Sequence, residues 1–259
     1  MIDIKSVNIN LTKINSNNIV NSKDGMNFFI TNGLFYKIID KKNINYSKYL
    51  EELNKIERAV SILEKAKLES IDGICIPLIK LYYNGQFVGY ATRYLEGYKE
   101  LIEAASFFDV NKKIDLLIQL SKTIKELHDH NIVHSDIYNN NVLTDGNNIK
   151  IIDFDECCIF KEGEEVSYFN SPYADIAQIN DLFRRLLIKN NKIILDNCEI
   201  NIPGKIKQYL YENDIHDYSH YGEIVRVTKP LEYPHDWLEE LKKYSNTNDK
   251  VLGNDVKVR

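Results

Sequence analysis

From Asn18 to Asp40 the apolar positions come in short runs separated by turn residues: NIV, SKDG, MNFFI, TNG, LFYKIID. Asp-Gly and Asn-Gly supply the positive φ that tight hairpins need, so this stretch predicts a three-stranded antiparallel meander. The period then changes. Across Tyr46–Leu68, the residues Tyr49, Leu50, Leu53, Ile56, Val60 and Leu63 recur at helical spacing without Gly or Pro, which predicts one long amphipathic helix. ICIPLIKLYYN, a turn at Gly85 and QFVGYATRYL predict a second hairpin that ends at Glu96-Gly97. The first 95 or so residues therefore read as about five strands and one helix.

A helical half follows. Asp109–His130 carries Ile114, Leu117, Ile124 and Leu127 on one side, and Ala174–Ile188 resumes the helical period after an interruption by short strands. Gln208–Tyr221 and His235–Tyr244 predict smaller helices, the second anchored by Trp237, and the polar tail from Asn246 is expected to fray. The pattern predicts an α+β chain in two lobes: a β-rich lobe over residues 1–92, a connector over 93–99, an α-rich lobe over 100–245 and a tail over 246–259.

Composition narrows the field. With 259 residues the chain can bury a sizeable core, and a formal charge of -5 argues against broad binding of nucleic acid or an anionic membrane. The four cysteines, Cys75, Cys157, Cys158 and Cys198, show no paired zinc spacing and no disulfide frame. No run approaches the roughly 18 apolar residues of a membrane span, and no export signal is visible, so a cytoplasmic location is expected.

The interruption in the helical half, HSDIYNNNVLTDGNNIKIIDFDE from His134 to Glu156, holds Asp136, Asn141 and Asp153 in short breaks beside the apolar runs VL and IKII. His134-Ser135-Asp136 with Asn141, then Asp153-Phe154-Asp155, resembles the catalytic and metal-binding loops of the protein-kinase fold, H-R-D-x-x-x-x-N and D-F-G. The resemblance spans roughly residues 18–190. It implies a bilobal phosphotransferase that binds ATP and Mg²⁺ between its lobes, with Asp136 as general base and Asn141 and Asp153 on the metal. Hard oxygen donors of this kind suit magnesium, which keeps water in its remaining positions.

Other assignments follow from the same resemblance. Lys37, in LFYKI, matches the strand lysine that holds the α and β phosphates, and its partner is expected on the long helix at Glu57, with Glu64 in reserve. ATRYLEG resembles the connector against which adenine sits, near Thr92, Arg93 and Leu95. Between the first two strands only Gly25 offers backbone freedom near phosphate, because G-x-G-x-x-G is absent, and a plain hairpin turn is an equal reading there. Ser135 stands where the family has arginine, so control through an activation-loop phosphate is not expected. Asp155 replaces the glycine of D-F-G and adds a carboxylate near the metal. Only about twenty residues separate Asp153 from Asp175, the candidate for the aspartate that braces the catalytic loop, and A-P-E is missing.

The acceptor is expected to be a serine or threonine hydroxyl on protein. A small-molecule hydroxyl, as in kinases of the aminoglycoside and choline type, is the alternative. A pseudokinase or nucleotide-binding scaffold and a transferase of AMP are further readings. A zinc site at His128, His130 and His134 is set against their places in the kinase pattern, and Cys157-Cys158 is read as packing.

Overall fold

The computed structural model describes residues 4–9, 19–23, 25–39, 45–66, 68, 71–194, 199–201, 204, 206, 222–228 and 230–246. These fall into two compact units. The first contains residues 1–70, 75–97 and 152–158; the second contains 71–74, 98–151 and 159–259. The chain thus passes from one unit to the other inside the predicted connector, at Gly97 and Tyr98.

The first unit is a six-stranded sheet with one long helix. Its strands are β1 (Lys5–Asn8), β2 (Ile19–Lys23), β3 (Met26–Thr31), β4 (Leu34–Ile39), β5 (Ile79–Tyr83) and β6 (Gln86–Arg93), in the order β1-β5-β6-β4-β3-β2. The meander and the second hairpin lie where the turn residues predict them, and Gly25 takes φ 81° in the β2–β3 turn. β1 is an addition: it pairs parallel to β5, and its four residues are all exposed.

Helix α1 (Tyr46–Lys65) starts at Asn45, whose side chain accepts from the backbone N–H of Lys48 at 2.9 Å. Its stripe of Tyr49, Ile56 and Val60 packs on Ile39, Phe87 and Tyr90 from one face of the sheet, while Phe29, Ile38, Leu81 and Val88 form a cluster on the other. Phe87 and Tyr90, three residues apart on one strand, reach the same cluster because the β5–β6 register shifts between Leu81 and Tyr82. Leu50, placed in the stripe by its spacing, is 38 % exposed; Tyr49 beside it takes the buried position.

The second unit is mainly helical. After β7 (Lys99–Glu100) come α2 (Leu101–Ala105) and α3 (Val110–Asp129), the latter capped by Asp109, which accepts from the N–H of Lys112 at 2.7 Å. β8 (Ile132–Val133), β9 (Val142–Thr144) and β10 (Ile149–Ile151) carry the loop that holds Asp136 and Asn141, followed by β11 (Cys158–Ile159) and β12 (Glu165–Ser167). Helix α4 (Pro172–Leu187) opens with Pro172, whose missing N–H costs nothing in the first turn. The small strands β13 (Ile188–Lys189), β14 (Lys192–Ile194), β15 (Glu199–Asn201) and β16 (Ile224–Arg226) precede α5 (Pro234–Asn246).

The core of this unit is α3 against α4 and α5. Ile114, Leu116, Leu117, Leu120, Ile124 and Leu127 of α3 are buried, and Trp237 of α5 meets Phe183 of α4 edge-on at 4.5 Å between ring centres. The predicted helices at 109–130, 174–188 and 235–244 are thus present as α3, α4 and α5. The predicted helix over 208–221 and the tail beyond 246 lie outside the described residues. α2 has no counterpart in the sequence reading, its five residues being too few to show a period.

Candidate active site

In the first unit the site is built around a buried lysine. Lys37 lies directly across from Phe28 of β3 and Tyr90 of β6, so these three side chains share a face of the sheet. Lys37 is only 6 % exposed. Its ammonium lies 2.7 Å from Asp153 Oδ1 and 2.6 Å from Asp155 Oδ2, and 6.0 Å from the centre of the Phe28 ring. Burial by itself pulls the lysine pKa down, but the charge of Asp155, then that of Asp153, outweighs it and holds the pKa above the ordinary value.

Two aspartates reach one ammonium because of the backbone between them. Asp153 has φ 60° and ψ 65°, a left-handed conformation, and the chain then makes a single 3₁₀ turn over Phe154–Glu156. A left-handed conformation is uncommon for a residue with a Cβ, and strain of this kind is concentrated at functional sites. The turn is fixed to α1 by Glu156, which pairs with Lys55 at 2.5 Å, and by the Cys157 thiol, which approaches the carbonyl of Ala59 at 3.9 Å.

Asp155 has a second partner. The Tyr90 hydroxyl donates to its Oδ1 at 2.9 Å while Lys37 occupies Oδ2. Burial pushes the Asp155 carboxyl up to about 6 against the pull of Lys37, with Asp153 adding to the rise. Burial and then the neighbouring Asp155 raise the Tyr90 phenol well above its usual value, so it stays protonated as the donor.

The lysine's partner is therefore not the one expected. Glu57 makes no ion pair with Lys37 among the described residues, and Glu64, the reserve, pairs with Lys80 at 2.6 Å. The physical reason is proximity: the 3₁₀ turn delivers two carboxylates straight to the ammonium, one of them where the family motif has glycine. Tyr90 and the lysine-holding role of Asp155 escaped the sequence reading. The hairpin register, which sets Tyr90 opposite Lys37, was the available signal.

In the second unit the loop after β8 is organised by one buried aspartate. Asp175 of α4 is fully buried; its Oδ2 accepts from the N–H of His134 at 2.8 Å, and its Oδ1 accepts from the N–H of Ser135 at 2.8 Å. His128 Nε2 lies 3.1 Å from the same Oδ2, and His128 Nδ1 lies 2.9 Å from the hydroxyl of Tyr233. Gln178, one turn further along α4, accepts from the N–H of Ile137 at 2.5 Å. Asp175 thus braces this loop as the sequence suggests, and Gln178 is a second brace that the sequence did not reveal.

So held, the loop presents Asp136 and Asn141 as a pair. Ser135 takes φ 69°, and the N–H of Asp136 donates to His134 Nδ1 at 3.2 Å. The Asn141 amide nitrogen donates to Asp136 Oδ2 at 2.8 Å and to the Asp136 carbonyl at 3.0 Å. This fixes the carboxylate, and the carbonyl oxygen of the same Asn141 side chain is a neutral acceptor.

A family model described as a protein kinase domain matches residues 31–175, more than half of the chain. The chain belongs to the protein kinase family. No curated protein matches it. For the kinase, Lys37, Asp136, Asn141, Asp153 and Asp175 all fall within or at the end of the matched stretch. Each unit offers hard oxygen donors of the type magnesium takes: the Asp153 carboxylate, 37 % exposed, in the first and the Asn141 carbonyl in the second.

The remaining assignments are placed as follows. Thr92 and Arg93 end β6, where the Arg93 carbonyl accepts weakly from the Cys75 thiol at 3.5 Å, and Leu95 lies just beyond. His128 and His134 are committed to Asp175 and the loop, and no group of three or more His, Cys, Asp or Glu is arranged to hold a metal among the described residues. Cys75, Cys157 and Cys158 are not in disulfides, and no described helix is long and apolar enough to cross a membrane.

Proposed function

We propose that the kinase transfers the γ-phosphoryl group of ATP, with Mg²⁺, to a serine or threonine hydroxyl on protein. The observation that carries this reading is the Asp136–Asn141 pair on a loop anchored to Asp175. A loose phosphoryl-transfer transition state asks the protein to position reactants and offset charge, and a pre-set carboxylate does the first. Asp136 receives the proton of the acceptor hydroxyl. Asn141 Nδ2 keeps that carboxylate oriented, and Lys37 contributes the positive charge that phosphate oxygens require. Asn141 and Asp153 would hold the metal, which offsets phosphate charge when bound. Thr92, Arg93 and Leu95 border the adenine, and Gly25 lets the backbone approach phosphate.

A second reading, a small-molecule hydroxyl as acceptor, is favoured by one specific feature. β12 already pairs antiparallel with β16 of its own chain, Val166 opposite Val225, so a substrate peptide has no free pairing edge on that side.

Incubation with Mg²⁺ and ATP labelled at both the α and γ phosphates, with and without cell lysate, separates the readings. Label from the γ phosphate on protein is expected. The same label on metabolites selects the second reading, label from the α phosphate would indicate AMP transfer, and no transfer at all would overturn the assignment.

A further inference from the structure

Lys37 is a buried cation with two carboxylates, and the proposed chemistry can use only one of them for the lysine. Asp153 is the exposed member of the pair, at 37 % of its side chain, whereas the Asp155 side chain is 11 % exposed. Asp155 is also the one with a second fixed contact, from the Tyr90 hydroxyl at 2.9 Å. Tyr90 is the cross-strand neighbour of Lys37, so the Asp155 carboxylate is held at both oxygens from adjacent positions on one sheet.

Helix α1 does not compete for this place. Its contacts with the 3₁₀ turn run through Lys55 to Glu156 and through the Ala59 carbonyl to Cys157, and they fix the turn rather than the lysine. We propose that Asp155, held by Tyr90, is the positioning residue for Lys37, taking the role that a helix glutamate would otherwise fill. Asp153 is then left for the metal. This inference rests on the phosphotransferase reading for its purpose, though not for its geometry.

The geometry predicts which substitutions loosen the lysine. Asp155→Asn keeps the shape and removes the charge; Tyr90→Phe keeps the charge and removes the hydroxyl that orients it; Glu57→Gln touches neither. Purified wild type and variants, checked for folding by thermal unfolding, are treated with acetic anhydride and the acetylation of Lys37 is measured by peptide mass spectrometry. Lys37 acetylation is expected to rise by about fivefold in Asp155→Asn and about twofold in Tyr90→Phe, and to stay level in Glu57→Gln. In turnover assays Asp155→Asn should raise KM for ATP by about tenfold, with a smaller change in kcat, and Asp155→Glu should recover part of the loss.

Equal acetylation in wild type, Asp155→Asn and Tyr90→Phe would overturn the proposal, as would a rise in Glu57→Gln that matched Asp155→Asn. If Asp155→Asn fails to fold, the comparison of Tyr90→Phe with Glu57→Gln decides on its own. A wild-type chain without phosphotransfer would defeat the functional reading, while the acetylation pattern would still decide who holds the lysine.

Discussion

Asp175 accepts from two backbone N–H groups and faces a buried histidine, with none of its own surface in water. Asp175→Ala leaves those donors without an acceptor in a dry interior and is expected to cost about 3–5 kcal/mol, read as a lower denaturant midpoint. Asp136→Asn keeps the hydrogen-bonding shape but removes the carboxylate proposed as base, so turnover should fall by about 10²–10⁴-fold at unchanged stability, measured by steady-state kinetics beside denaturation. Asp155 gives a pH signature. Its folded pKa stands near 6, above the unfolded value of 3.8, so the folded state holds the extra proton. Stability from this group is fully present below the unfolded pKa and is lost as pH rises through about 6; Asp155→Asn should remove that slope, on the order of 2 kcal/mol, in unfolding curves taken from pH 4 to 7. Asp136, Asn141 and Asp153 stand out in the sequence because their spacing lies within one short stretch. The grip of Asp155 on Lys37 does not, because it depends on the left-handed backbone at Asp153, which no residue type announces.

Among elements, the β4–β6 pairing depends on a missing side chain. Gly89 sits opposite Ile38 with φ 153°, and a Cβ there would come within 2.1 Å of the Lys37 carbonyl. Gly89→Ala combines backbone strain with a clash against main chain and is expected to cost about 2–4 kcal/mol, with Lys37 displaced, as checked by chemical denaturation and by KM for ATP. Both hairpins and the long helices were readable from turn residues and periodicity. β1 was not, since an exposed edge strand of four residues gains its order from parallel pairing with β5. The Glu57 assignment failed at this scale too: helical spacing says which side of α1 faces the sheet, but not which acidic group arrives first at the lysine.

At the scale of the whole chain, sequence order and structural membership part company. Residues 152–158 belong to the first unit although they are separated from the rest of it by more than fifty residues. A fragment ending at Gly97 would bury Lys37 without Asp153 or Asp155, leaving an unpaired ammonium in the interior. Such a fragment is expected not to fold alone, and circular dichroism of residues 1–97 with and without a synthetic 150–160 peptide would check it. A linear division of the sequence cannot express the two short exchanged segments, 71–74 and 152–158.

The segment after the 3₁₀ turn at Phe154–Glu156 is itself held by backbone bonds. Beyond the β12–β16 ladder, Gly163 and Val227 exchange bonds with the opposite strand at 2.7 and 2.9 Å, Tyr168 donates to the Glu223 carbonyl at 3.0 Å, and Arg226 pairs with Glu165 at 3.0 Å. Main chain already stitches this stretch down on its own. Adding a charged group to this stretch would have to break main-chain bonds already made, instead of ordering a loose loop.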